Sequence, residues 1–142
     1  MLPIVSLNWL AILLAAVASF VISAIWYSPA LFGNAWMKSI GMSMKDMSKM
    51  GMSGSKMAKS YVIMFVAALL MSFVLSVLIH LLGASSVQSA LEVGLFVWLG
   101  FVATEKISGV LFEGRHFNYY TITVLQYLIT ILAMSLILSL WF

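Results

Sequence analysis

Glu105, Gln126, Thr123 and Thr130 are the residues whose types and spacing first ask for chemistry. Glu105 stands inside a long apolar run, and a carboxyl group in hydrocarbon needs a partner or a purpose. At helical spacing Gly94, Trp98, Phe101, Glu105, Ser108 and Phe112 share one stripe. Thr123, Gln126 and Thr130 share a face of the next apolar run. The two runs are antiparallel and these residues fall at similar depth, so a Glu105–Gln126 hydrogen bond is expected. Such a pair either fixes helix packing or belongs to a proton or ion pathway.

Three more residues, Asn8, His80 and Glu92, reach a comparable depth near the opposite ends of their runs. A His80–Glu92 pair would raise the share of charged imidazole near neutral pH; the alternative is interfacial polar residues that never meet. His80 closes a small, polar stripe of Ala68, Ser72 and Ser76, while Ala15, Ser19 and Ser23 give a spacing that lets helix backbones approach closely. Seven of the eleven methionines, Met37, Met42, Met44, Met47, Met50, Met52 and Met57, fall in one segment. Thioethers are soft ligands, so Met42, Met44, Met47, Met50 and Met52 are candidates for reduced copper. The competing use is flexible apolar contact with headgroups or a partner. Cysteine is absent, which removes thiol catalysis and disulfides. No phosphate loop, nucleophile elbow or zinc-type histidine spacing occurs, so neither an enzyme nor a cofactor is expected. No basic motif points to nucleic acid.

The elements that position these residues follow from composition. Of 142 residues, 64% are apolar and 8% charged, and the mean hydropathy is +1.15. That is too little charge to cover a water-facing surface and too much apolar character for disorder. Four continuous runs, Ile4–Tyr27, Ser60–Leu82, Ser89–Phe112 and Tyr119–Phe142, are each long enough to cross a bilayer as a helix. They lack the alternation of barrel strands. The expected fold is therefore all-α: one domain, residues 1–142, folded as an integral membrane bundle of four transmembrane helices. Ala16-Val17-Ala18 imitates a signal cleavage site, but no Lys or Arg precedes the run and the run continues to Trp26, so it is read as the first span.

The connection of residues 29–59 carries Lys38, Lys45, Lys49, Lys56 and Lys59 against Asp46, and the third connection carries Arg115. The tip Gly83–Gln88 has no charge. The positive-inside rule puts the first and third connections in the cytoplasm of a cell (inner) membrane protein, with both termini outside. Pro29–Ile40 reads as a short amphipathic helix at the interface, started by Ser28-Pro29 and ended by Gly41. Residues Gly41–Lys59 read as a loop. The echo of Leu31-Phe32-Gly33 in Leu111-Phe112-Glu113-Gly114 is too slight to define a repeat.

Asn8-Trp9, Trp26-Tyr27-Ser28-Pro29, Leu31-Phe32-Gly33 and Trp36-Met37 resemble the N-terminal signature of the domain of unknown function 1761 family. Trp98-Leu99-Gly100-Phe101 and Phe112-Glu113-Gly114-Arg115 resemble its second half. The resemblance implies a small, mostly prokaryotic, four-span membrane protein, and implies no reaction, ligand or cofactor. Read physically, Gly114 permits a tight reversal, Arg115 can meet Glu113 or a lipid phosphate, and Tyr27 ends span one on the same side. A cytoplasmic-face binding site is thus expected at Tyr27, Glu113, Arg115 and Asn118. Four short helices enclose little interior, so a homo-oligomer in the lipid bilayer is expected, with any path for a small molecule or ion between subunits. The function expected is that of a small oligomeric transporter or channel-like protein. The alternatives are a non-transporting scaffold or partner-binding protein, and copper binding through the Met-rich loop.

Overall fold

Asn8 opens the fold: its side-chain oxygen accepts the Ala11 N–H at 3.1 Å and caps α1 (Trp9–Trp26). A helix start leaves several N–H groups without partners, and in an apolar sequence Asn8 is the nearby side chain able to take one. The computed structural model describes residues 6–42 and 54–141. It continues with α2 (Gly33–Ser39), α3 (Gly54–Leu81), α4 (Val87–Phe112) and α5 (Phe117–Ser139). Among the described residues there is no strand. Four helices, Trp9–Trp26, Ser55–Leu81, Val87–Phe112 and Phe117–Ser139, are long and apolar enough to cross a membrane. This is the expected all-α, four-helix architecture.

α5 is the organising helix. It packs against α1 and α4 along much of its length and touches α3 and α2, while α3 packs mainly on α1. Ala11, Ile12 and Ala15 of α1 meet Leu75 and Ile79 of α3, Ala90 of α4, and Ile131, Met134 and Leu138 of α5 in one core. Lipid tails are as apolar as leucine, so burial gives such helices little reason to associate; close approach of small residues does. Ala15 and Ala16 are fully buried, and the Ser72 hydroxyl, also fully buried, donates to the Ile12 carbonyl at 2.9 Å. Gly94 of α4 lies so close to Ser135 of α5 that a methyl group added there would collide with the serine hydroxyl.

Two boundaries differ from the sequence expectation. The helix expected over Pro29–Ile40 begins at Gly33, after a turn through residues 27–32. Ser28 does not cap forward: its hydroxyl donates back to the Ile25 carbonyl at 2.7 Å, and its own carbonyl accepts the Leu31 and Gly33 N–H groups at 3.1 and 3.0 Å. Gly33 is held against the Tyr27 and Ser28 carbonyls, where a side chain has no room. The Trp26 and Phe32 rings pack at a tilt across the turn, 4.4 Å between centroids. The Trp-Tyr-Ser-Pro…Phe-Gly signature is therefore the turn that folds α2 back onto the bundle. The second correction concerns α3, which starts at Gly54 rather than Ser60. At about 1.5 Å per residue its 28 residues span roughly 42 Å, more than the ~30 Å hydrocarbon core, so the turns carrying Lys56 and Lys59 extend beyond it.

Candidate functional site

α4 is not a uniform helix. Its Val87–Trp98 portion passes into a π turn, Leu99–Ala103, before Thr104–Phe112 resumes the α form. The wider turn inserts one residue, which rotates everything beyond it by about 100° relative to the 3.6 period. Gly94 and Trp98, upstream, face the bundle, and the Trp98 indole donates to the Val124 carbonyl at 2.8 Å. Downstream it is Ala103 that is buried, while Phe101 is 75% and Phe112 86% exposed. Glu105 turns outward with them and lies 3.9 Å from Lys106. Two hydroxyls close this turn: Thr104 donates to the Gly100 carbonyl and Tyr120 to the Ala103 carbonyl, both at 2.7 Å.

The expected Glu105–Gln126 hydrogen bond is thereby corrected. Gln126, only 4% exposed, donates through its amide to the Ser23 hydroxyl at 2.9 Å and the Thr130 hydroxyl at 3.0 Å. The Thr123 hydroxyl donates to the Tyr119 carbonyl within its own helix. Ser23 belongs to the small-residue stripe of α1, so this buried polar group ties α5 to α1 and not to α4. The Trp26 indole makes the same α1–α5 connection lower down, donating to the Ile122 carbonyl at 3.1 Å. These are packing bonds.

Elsewhere the expected residues have helical roles. Asn8 caps α1, Glu92 accepts the Gln88 amide at 3.0 Å one turn back, and His80 Nδ1 lies 2.7 Å from the Ser76 carbonyl. A carbonyl can only accept, so the proton sits on Nδ1. Of the proposed thioether ligands, Met42 is described and ends the α2 segment; Met44, Met47, Met50 and Met52 lie outside the described residues.

The end of the bundle that carries α2 and the α4–α5 turn is different in character. A depression of about 380 Å³ is lined there by Lys38, Ser39, Ile40 and Gly41 on one side and Glu113, Gly114, Arg115 and His116 on the other. Gly41 and Gly114 take φ of 72° and 68°, a backbone region that glycine enters without penalty, and each ends its helix sharply beside the depression. The Arg115 side chain lies 4.0 Å from the Glu113 carboxylate and 5.1 Å over the Tyr119 ring. On the α2 side, Tyr27 packs edge-on to Trp36 at 5.5 Å. Burial first, then the neighbouring Tyr127 and Tyr119, pushes the Tyr27 hydroxyl up to about 12 from 10.0, so Tyr27 stays neutral. Of the expected set, the structure brings Glu113 and Arg115 into the depression, leaves Tyr27 out of its lining and against Trp36, and leaves Asn118 exposed in the first turn of α5.

Sequence reasoning missed Lys38, Ser39 and His116. The packing of α2 onto α5 brings them together, and no local pattern announces that contact. A second depression, lined by Ser6, Leu7, Asn8, Trp9 and Trp141, lies at the opposite end and carries no charged side chain.

Four apolar helices around a small-residue core, with polar depressions at the ends, define an α-helical multi-pass membrane protein. More narrowly, residues 10–139 match the family described as protein of unknown function (DUF1761), and the chain belongs to that family. No curated protein and no solved structure is detectably similar to it.

Proposed function

We propose that this protein is a non-catalytic, membrane-embedded binding protein that engages its ligand at the α2 end of the bundle without passing it through the bundle. The observation that carries this reading is the disposition of its polar groups. Inside, Gln126, Thr130 and Ser72 are spent on interhelical or intrahelical bonds, the buried Ser135 hydroxyl is left without a partner among the described residues beside Gly94, and the two carboxylates of α4's second half and following turn, Glu105 and Glu113, both point away from the core. At the α2 end, Lys38 and Arg115 line an open depression, with Tyr119 under Arg115 and Tyr27 against Trp36 on the α2 side. Tryptophan and tyrosine prefer headgroup depth, and lysine-rich connections prefer the cytoplasm, so this end is read as the cytoplasmic face of a cell membrane, with both termini outside.

A path between subunits of a homo-oligomer is the second reading. It is favoured by the outward placement of Gly100, Thr104, Glu105 and Ser108 on one membrane-spanning helix, a polar strip that a neighbouring copy would cover. Proton flux in proteoliposomes separates the two. A dye-loaded vesicle under a potassium diffusion potential is expected to take up protons no faster with the protein than without it. Flux above the protein-free rate that falls in Glu105→Gln would overturn the binding-protein reading in favour of transport.

A further inference from the structure

We propose that the depression between Lys38–Gly41 and Glu113–His116 is a phosphate-group site, whose ligand is an anionic lipid headgroup or a free phosphate. This names the ligand chemistry of the binding surface proposed above and rests on that reading. Two permanent cations, Lys38 and Arg115, face one carboxylate, Glu113, so the lining carries one uncompensated positive charge. Glu113 does not consume Arg115: the approach is 4.0 Å through Nε, beyond hydrogen-bond length, and the planar outer edge of the guanidinium keeps its donors. That edge is the part of arginine that grips phosphate oxygens in pairs, with lysine contributing as a point charge. Among the described residues Lys38 has no carboxylate partner.

The remaining lining fits the same ligand. The Ser39 hydroxyl is already committed to the Trp36 carbonyl at 2.6 Å, so the cationic side chains, not a serine, do the recognising. Tyr119 under the guanidinium fixes its plane at 5.1 Å. The depression is open, and its Ser39 is bonded to Trp36, whose ring meets Tyr27; such aromatic groups suit the headgroup layer, where lipid phosphates reside. The opposite end of the bundle, with its uncharged depression, offers no such combination.

The test uses the full chain in uncharged detergent micelles, titrated by thermophoresis with phosphatidylglycerol, with inorganic phosphate, and with diacylglycerol as the phosphate-free control. Saturable binding of phosphatidylglycerol or of phosphate, but not of diacylglycerol, is expected. Lys38→Gln and Arg115→Gln should each raise the dissociation constant about tenfold, the effect of losing one charge-assisted contact. Glu113→Gln removes the competing carboxylate and should lower it several-fold; this gain distinguishes recognition from mere structural damage. Lipid bound and not displaced by phosphate identifies the headgroup as the source, whereas phosphate bound or competing identifies the free ion. No saturable binding of either probe, or constants unchanged in all three variants with helicity intact by circular dichroism, overturns the proposal. If the wild type binds neither probe and conducts no protons, the phosphate site falls and the non-transporting reading does not.

Discussion

Glu105 and Gln126 illustrate how far residue identity reaches. Both stand out by their polarity in apolar runs, and the structure gives them opposite fates: one faces out beside Lys106, the other is locked between α1 and α5. Glu105→Gln is therefore expected to leave the thermal stability of the detergent-solubilised protein within about 0.5 kcal/mol of wild type. Gln126→Leu should lower it by about 0.6–2 kcal/mol, the range of hydrogen bonds between membrane helices, because Ser23 and Thr130 lose their donor. Equal losses in both variants, measured by unfolding in the same detergent, would mean that Glu105 has a buried partner after all. Tyr27 makes a second residue-scale prediction. Its hydroxyl ionises near 12 in the folded state against 10.0 unfolded, so folding favours the protonated form. The stability this contributes is complete below pH 10 and is lost as pH rises through 12. An ultraviolet titration should show one late tyrosine that disappears in Tyr27→Phe.

At the scale of elements, hydropathy runs made the four spans legible, because a membrane demands about 20 apolar residues whatever the packing. The face each span turns inward was less legible. The stripe Gly94, Trp98, Phe101, Glu105 assumes 3.6 residues per turn, and it holds only as far as Trp98; the π turn then replaces Phe101 with Ala103 at the core. Nothing in the local sequence marks that insertion, which is held by tertiary partners, Trp98 on Val124 and Tyr120 on Ala103. The turn at Trp26–Gly33 is visible as a motif, but Ser-Pro starts a helix or makes a turn equally well, and here it makes the turn. The binding end was half legible for the same reason: Glu113 and Arg115 are neighbours in sequence, whereas Lys38 reaches them through the docking of α2. Deleting Gly100 should convert the π turn to regular helix and swing Thr104–Phe112 by about 100°. The expected outcome is loss of the Tyr120–Ala103 bond and a lower unfolding temperature, with α4 still helical by circular dichroism. A deletion variant as stable as wild type would mean that the inserted residue has no structural cost to its removal.

For the whole molecule, the helices run so that Trp9 and Ser139 share one end while Gly41 and Gly114 share the other. The chain has no cysteine, which makes single-cysteine labelling a clean measure of sidedness. Cysteines placed at Ser6 and Trp141 should react with an impermeant maleimide added to intact cells, and those at Gly41 and Gly114 only after permeabilisation. The reverse pattern would put the lysine-bearing end outside and invert the map. The centrality of α5 has a consequence for biogenesis. Ribosomes deliver α5 after α1, α3 and α4, and α4 leans mainly on it and only lightly on α3. During synthesis, α1 and α3 can pair as soon as both have entered the bilayer, but α4 has to wait, parked alone among lipids or insertase chaperones. The unpartnered α4 is therefore open to membrane proteases in the interval before α5 emerges.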